Sequence, residues 1–268
     1  MRELIRMYFR LAYFMFLTLA WAISASFAAD AAPRGKAVFE AQCAVCHGVA
    51  GDGQGPEAHR FFTRPADLTR GIFKFRSTPS GSLPTNQDLE RTIRDGLPGS
   101  GMVAQEQLSD AEVREIIAHI KTLSPRWASE TAPLAISVVQ PANIDSLVTK
   151  GSDLFKKAGC HECHGETGRG DGPSAASLTS GGWPTRPADL TRRPLKGGDR
   201  PEDIYRALAV GIDGTPMPSY RDAREEEEIW ALAVYVTRLA APTTQTSQTD
   251  DERIGREVET KDQTSRRQ

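Results

Sequence analysis

The strongest constraint on the fold is internal. Residues 35–123 and 151–239 carry the same landmarks in the same order, so one structural unit is used twice. Each copy opens on Gly-x-x-x-Phe, with Gly35 and Phe39 in one and Gly151 and Phe155 in the other, which predicts a short helix. Cys-x-x-Cys-His follows, then a glycine-rich loop at 48–56 and 165–173. Both copies later contain the same eight residues, Thr-Arg-Pro-Ala-Asp-Leu-Thr-Arg, at 63–70 and 185–192.

Beyond the octapeptides the patterning is helical. Leu89 and Ile93 precede Gly96, and Ile204 and Leu208 precede Gly211; residues four apart share a helix face, and glycine closes the element. Thr85 with Asp88, and Pro201, are start signals. A longer amphipathic helix ends each copy. Ser109 and Glu112 form a capping box before Val113, Ile116, Ile117, Ile120 and Leu123, and Asp222 with Glu225 resembles one before Ile229, Trp230, Ala233, Val236 and Leu239. Glu225 through Glu228 read as a solvated first turn, where negative charge is favoured. The expectation is an all-α chain with long loops.

The remaining segments divide the chain. Arg2, Arg6 and Arg10 precede an apolar run over 11–23 and a small-residue stretch over 24–29, so residues 1–29 read as an export signal peptide; counted as apolar to Ala29, the same stretch reaches the length of an N-terminal anchor. Residues 30–123 form a first domain, 124–150 a proline-bearing linker, 151–240 a second domain and 241–268 a polar, disordered tail. The apolar stretch 134–139 inside the linker is expected to pack across the domain surfaces. A net charge of -2 with 25% charged residues offers no basic surface for nucleic acid.

An exported chain favours disulfides. The spacing argues otherwise: Cys43, Cys46 and Cys160, Cys163 form two close pairs, each followed directly by a histidine, His47 or His164. Cys-x-x-Cys-His is the attachment signal of c-type heme, in which two thioethers hold the porphyrin and the histidine lies under the iron. A zinc site would want a second ligand pair at suitable spacing, and a dithiol redox site a βαβ setting; neither is evident. The cofactor expected is heme c, two groups, covalent.

Methionine supplies an independent test. Met1, Met7 and Met15 fall in the export segment, which leaves Met102 and Met217, one per copy, each in a Gly- or Pro-bearing loop ahead of the last helix. Neither loop has apolar periodicity, so both are expected to supply axial thioether ligands opposite His47 and His164. Val103 stands after Met102 where Pro218 follows Met217. Of the other histidines, His59 is expected at the surface, His119 in packing at the place of Tyr235, and His161 near the heme edge. Arg64, Arg186 and Arg76 are candidates for propionate binding; the rival reading of the first two is a rigid turn with a solvated arginine. The glycine-rich loops lack the Lys-Ser/Thr sequel of phosphate loops and read as close backbone approach to heme.

With helix, Cys-x-x-Cys-His, methionine loop and final helix in order, each copy resembles class I cytochrome c, and the pair resembles the diheme class I cytochromes of bacterial periplasms. The resemblance implies first and last helices that cross near Gly35 and Gly151, an apolar heme crevice with one edge exposed, and a relatively high potential. Copy two lacks the stretch Phe73-Lys74-Phe75-Arg76 of copy one, which predicts different propionate environments. An iron with two strong protein ligands has no open position, so the expected role is a non-enzymatic, periplasmic electron carrier between redox protein partners, with membrane association only if the N-terminal segment is retained. The alternatives are a diheme oxidoreductase of peroxidase or thiosulfate-oxidising type and a cytochrome subunit of a larger respiratory or molybdenum enzyme complex.

Overall fold

The computed structural model describes residues 33–240. The expected export segment, with its three methionines, and the expected disordered tail lie outside the described residues. In copy one, helix α1 (33–42) leads into α2 (Ala44–His47), followed by α3 (Asn86–Asp95) and α4 (Asp110–Thr122). A short α5 (Arg126–Ser129) opens the linker. Copy two repeats the order with α6 (Val148–Lys157), α7 (Cys160–His164), α8 (Pro201–Val210) and α9 (Glu226–Leu239).

The first and last helices of each copy cross at a glycine. A Cβ on Gly35 would lie 1.8 Å from the Glu115 carbonyl oxygen of α4, and one on Gly151 would lie 2.0 Å from that of Ala231 in α9. No side chain fits between backbones at that separation. One turn on, Phe39 and Phe155 are buried in two separate cores. Leu89, Ile93, Val113, Ile116, Ile117 and Ile120 complete the first; Ile204, Leu208, Ile229, Trp230 and Val236 are central to the second, where Tyr205 stacks on Trp230 at 4.3 Å.

Helix starts follow the sequence signals with one exception. Thr85 with Asp88 and Ser109 with Glu112 form complete capping boxes, and Pro201 occupies the first turn of α8. Helix α9 begins three residues later than Asp222 predicts. The Ala223 N–H donates to the Tyr220 carbonyl in a turn, and Glu225 becomes the N-cap, its N–H donating to Glu228 Oε2 at 3.4 Å. The all-α expectation holds apart from a two-residue antiparallel ribbon in copy two, β1 (Thr179–Ser180) and β2 (Trp183–Pro184), turned by Gly181 and Gly182 at positive φ.

The linker packs on alternate residues. Leu134 is 91% exposed and Val139 is also exposed, while Ile136 and Val138 pack against the second core. The Ile136 N–H donates to the Ser77 carbonyl at 2.8 Å, so the same residue touches both copies. Among the described residues no helix is long and apolar enough to cross a membrane.

Candidate functional site

Each Cys-x-x-Cys-His pentapeptide coils into a single helical turn, α2 or α7, that ends on its histidine. All four cysteines are free. Burial pushes the Cys43 thiol up to about 11, with Cys46 adding to the effect, and burial raises Cys160 as well. Such thiols stay protonated at neutrality, unlike the low-pKa nucleophile of a dithiol redox motif. Among the described residues no three His, Cys, Asp or Glu side chains converge on a point that could hold a metal, so the zinc reading has no ligand set.

The octapeptide explains how the histidines are aimed. His47 Nδ1 lies 3.1 Å from the Ala66 carbonyl oxygen, and His164 Nδ1 lies 3.0 Å from that of Ala188, the same position of the repeat. With the proton on Nδ1 donated to the carbonyl, the tautomer leaves Nε2 as the basic nitrogen. Burial lowers both histidines' pKa, with the carbonyl bond opposing, which keeps the rings neutral and able to ligate. Next in the repeat, Asp67 accepts from the N–H and hydroxyl of Thr69, and Asp189 does so from Thr191, fixing the turn that presents the carbonyl. The Leu68 and Leu190 N–H groups donate to Gly51 and Gly168, which ties the octapeptide to the glycine-rich loop.

Those loops need glycine for a reason of their own beside the expected approach to heme. A Cβ on Gly55 would fall 2.5 Å from the Ala44 carbonyl oxygen, and one on Gly172 2.4 Å from that of Glu162. Each loop lies on the backbone of the cysteine-bearing turn, and Gly53 and Gly170 donate to the carbonyls of His47 and His164.

The methionine loops are nearly superimposable in their bonding. Leu97 N–H donates to the Met102 carbonyl at 2.8 Å and Ile212 N–H to that of Met217 at 3.1 Å; the Ser100 and Thr215 hydroxyls each accept from the following methionine N–H at 3.2 Å. Their surroundings differ. Met217 packs against the second core together with Cys160 and Tyr220, whereas Val103 beside Met102 is 67% exposed and Gly101 lies against the Phe61 ring.

The arginines occupy the boundary between the copies. Arg64 stacks over Trp183 at 4.6 Å and Arg186 over Phe62 at 4.7 Å, a reciprocal exchange made by two equivalent arginines. The solvated-turn reading of these two is therefore incomplete, since each guanidinium lies on the other copy's ring. Arg76 has a fully buried side chain. It reaches Asp213 at 2.8 Å and donates to the carbonyls of Val210 at 3.0 Å and Pro79 at 3.3 Å, and Ser80 and Gly81 bond the same aspartate. Protein groups thus occupy much of the donor set expected to face a propionate. Sequence reasoning missed Asp213, Phe62 and Trp183, whose partners lie in the other copy and leave no local period.

Of the remaining histidines, His59 and His119 lie where expected, and His161 is half-buried. His59 is exposed, His119 is buried against Phe39 at 5.1 Å as Tyr235 is against Phe155 at 5.4 Å, and His161 pairs with Glu162 at 3.2 Å. The donor set in each copy, two thiols beside a neutral histidine whose Nδ1 is held by a carbonyl, fits covalent heme at both sites.

Comparison with known proteins agrees. Residues 32–124 match the family described as cytochrome c, and residues 146–236 match cytochrome c oxidase, cbb3-type, subunit III. Curated relatives include the cbb3-type cytochrome c oxidase subunit FixP of Azorhizobium caulinodans, 28% identical over 76% of this chain and 58% of its own length. The subunit CcoP of Azospirillum sp. (strain B510) is 25% identical, again over 76% of this chain and 61% of its own length, so the chain spans about three fifths of these relatives. Among solved structures, a chain of the Kuenenia stuttgartiensis reducing HAO-like protein complex is 36% identical with a TM-score of 0.76, covering 78% of this chain and 96% of that one.

Proposed function

Because the chain belongs to the class I cytochromes c and bears two covalent heme c groups, one on each cysteine pair, we propose that it relays electrons between a donor and an acceptor protein without catalysing a reaction of its own. The observation that carries this reading is the matched pair of sites, each with an oriented neutral histidine and a methionine loop built on the same bonds. Heme c supplies one-electron chemistry at its iron. His47 and His164, aimed through Ala66 and Ala188, would hold each iron through Nε2, and Met102 and Met217 would supply the second protein ligand. Held by a histidine and a methionine, each iron would have no open position for a substrate. Arg64 and Arg186 act mainly in holding the two copies together.

A second reading concerns the setting. The relatives named above are oxidase subunits, and the solved neighbour comes from a two-component complex, so the relay is proposed to work as the electron-carrying part of a larger redox assembly, in an exported compartment. Redox titration followed by optical and electron-spin resonance spectroscopy tests the first reading: two low-spin centres with the long-wavelength methionine-to-iron band are expected, and a resting high-spin ferric signal would overturn it. Size-exclusion of the native protein tests the second, where elution as a lone chain would count against an assembly.

A further inference from the structure

Charge at the boundary between the copies does not balance. A small cavity there is lined by Lys74, Arg76, Arg91, Asp203 and Arg206, with Gly197 and Phe75 closing one wall. Its arginines already have carboxylates. Arg76 holds Asp213 at 2.8 Å, Arg91 holds Asp88 at 3.4 Å, and Arg206 holds Asp203 at 3.0 Å, an aspartate that Arg200 also engages. Lys74 has no hydrogen-bond or ion-pair partner among the described residues. Neither has Lys196, which precedes the cavity-lining Gly197.

These two lysines are counterparts. Each is the fourth residue after the shared octapeptide, so the copies diverge around them, Phe-Lys-Phe-Arg against Leu-Lys-Gly-Gly, while keeping the ammonium. Both are half-buried. Lys74 lines the cavity and Lys196 adjoins its Gly197 wall, so both side chains start at the same gap between the copies; burial lowers the pKa of each, and Lys196 adds to the effect on Lys74. Two unpaired, partly desolvated ammoniums at one interface are costly unless an anion lies beside them.

We infer that Lys74 and Lys196 bind the propionate carboxylates of the two hemes at the boundary between the copies, as positioning residues that link the two heme sites electrostatically. The inference rests on the two-heme reading and supplies the cationic partners that Arg76, turned to Asp213, leaves open. Ammoniums there oppose the extra positive charge of the oxidised iron and hold the carboxylates ionised through neutrality. Removing one therefore favours the oxidised form and lets a carboxylate titrate within the neutral range.

The test is a redox titration of the intact holoprotein and of Lys74→Gln, Lys196→Gln and the two Lys→Arg variants between pH 5 and 8. Each glutamine variant is expected to shift the reduction equilibrium of at least one heme about tenfold toward the oxidised state, about 59 mV for one electron. A fall in potential with rising pH should accompany the shift, and arginine should restore the original values. Low-spin spectra with both thioethers intact, together with potentials and pH slopes unchanged in both glutamine variants, would overturn the inference while leaving the carrier reading in place. Free anions give a separate arm: a wild-type potential that moves with added phosphate at constant ionic strength, in a way the glutamine variants lose, would assign the lysines to a diffusible anion and also overturn it.

Discussion

The two methionine loops share their backbone bonds but differ in what covers them. The second is gripped from outside by the first copy: Arg76 and the N–H of Gly81 hold Asp213, four residues before Met217, and Arg76 also holds the Val210 carbonyl at the end of α8. The first has Phe61 on one side and an exposed Val103 on the other. One copy thus serves as scaffold for the other's methionine loop, and among the described residues no hydrogen bond or ion pair from the second copy reaches the first loop. Both methionines are half-buried, so the contrast lies in the clasp, which holds the Met217 loop more firmly and makes Met102 the proposed ligand expected to be displaced first.

The largest effect follows from removing the ligands themselves. Met217→Ala is expected to open one iron, abolish that site's long-wavelength band and lower its potential by a sizeable part of the roughly 0.8 V that axial ligands command. Met102→Ala should do the same at the other site. An unchanged titration in either variant counts against that methionine. In the unaltered oxidised protein, cyanide should enter the first site faster than the second; equal rates would remove the contrast.

Next comes the helix crossing, where the copies are alike and the contrast should vanish. Gly35→Ala and Gly151→Ala each place a methyl about where a carbonyl oxygen already lies, and backbones cannot yield as a flexible side chain would. A loss of about 3 kcal/mol is expected for each, at the upper end of typical overpacking penalties. Urea unfolding monitored at the heme bands checks it, and a loss below about 1 kcal/mol at either position would show that the helices separate freely there.

The clasp itself ranks third. Asp213→Ala leaves the fully buried Arg76 side chain without its carboxylate, and a cost of about 2 kcal/mol is expected, below the range for wholly buried pairs because the aspartate is partly exposed. Its diagnostic is kinetic. Cyanide uptake at the second site should rise toward that of the first; a destabilised variant with unchanged uptake would separate the clasp from the loop it is argued to hold.

Much of this was legible in the chain because it is local or repeated. Capping boxes at Thr85 and Ser109 and apolar pairs four apart lie in short windows whose physics does not depend on the rest of the fold, whereas the crossing at Gly35 and Gly151, a contact with a distant helix, came from the repeated family pattern. The start of α9 was ambiguous locally, since Asp222 and Glu225 both have a carboxylate three residues on, and a turn at Tyr220 decided between them. Thr179 through Pro184 could have been read as a ribbon from its central Gly-Gly. The boundary between the copies was not legible. Arg76 and Asp213, Arg64 and Trp183, and Arg186 and Phe62 pair across copies, and only the equivalence of Lys74 and Lys196, set by counting from the octapeptides, left a trace in sequence.

The smallest effect separates the copies by pH. His119 and Tyr235 occupy the same place, each against the phenylalanine of the first helix, but His119 Nε2 is buried without a hydrogen-bond partner. Burial lowers the His119 pKa from its ordinary 6.5, with Lys36 adding to the effect and Glu40 opposing it. The folded chain therefore holds this proton less readily than the unfolded one, so stability is complete above pH 6.5 and is lost as pH falls from there toward the lower folded value. Acid should therefore weaken the first copy before the second. His119→Tyr should flatten this part of the stability profile in the first copy alone, as followed by urea unfolding at pH 7 and pH 5. An unchanged acid loss in that variant would place the sensitivity on another group.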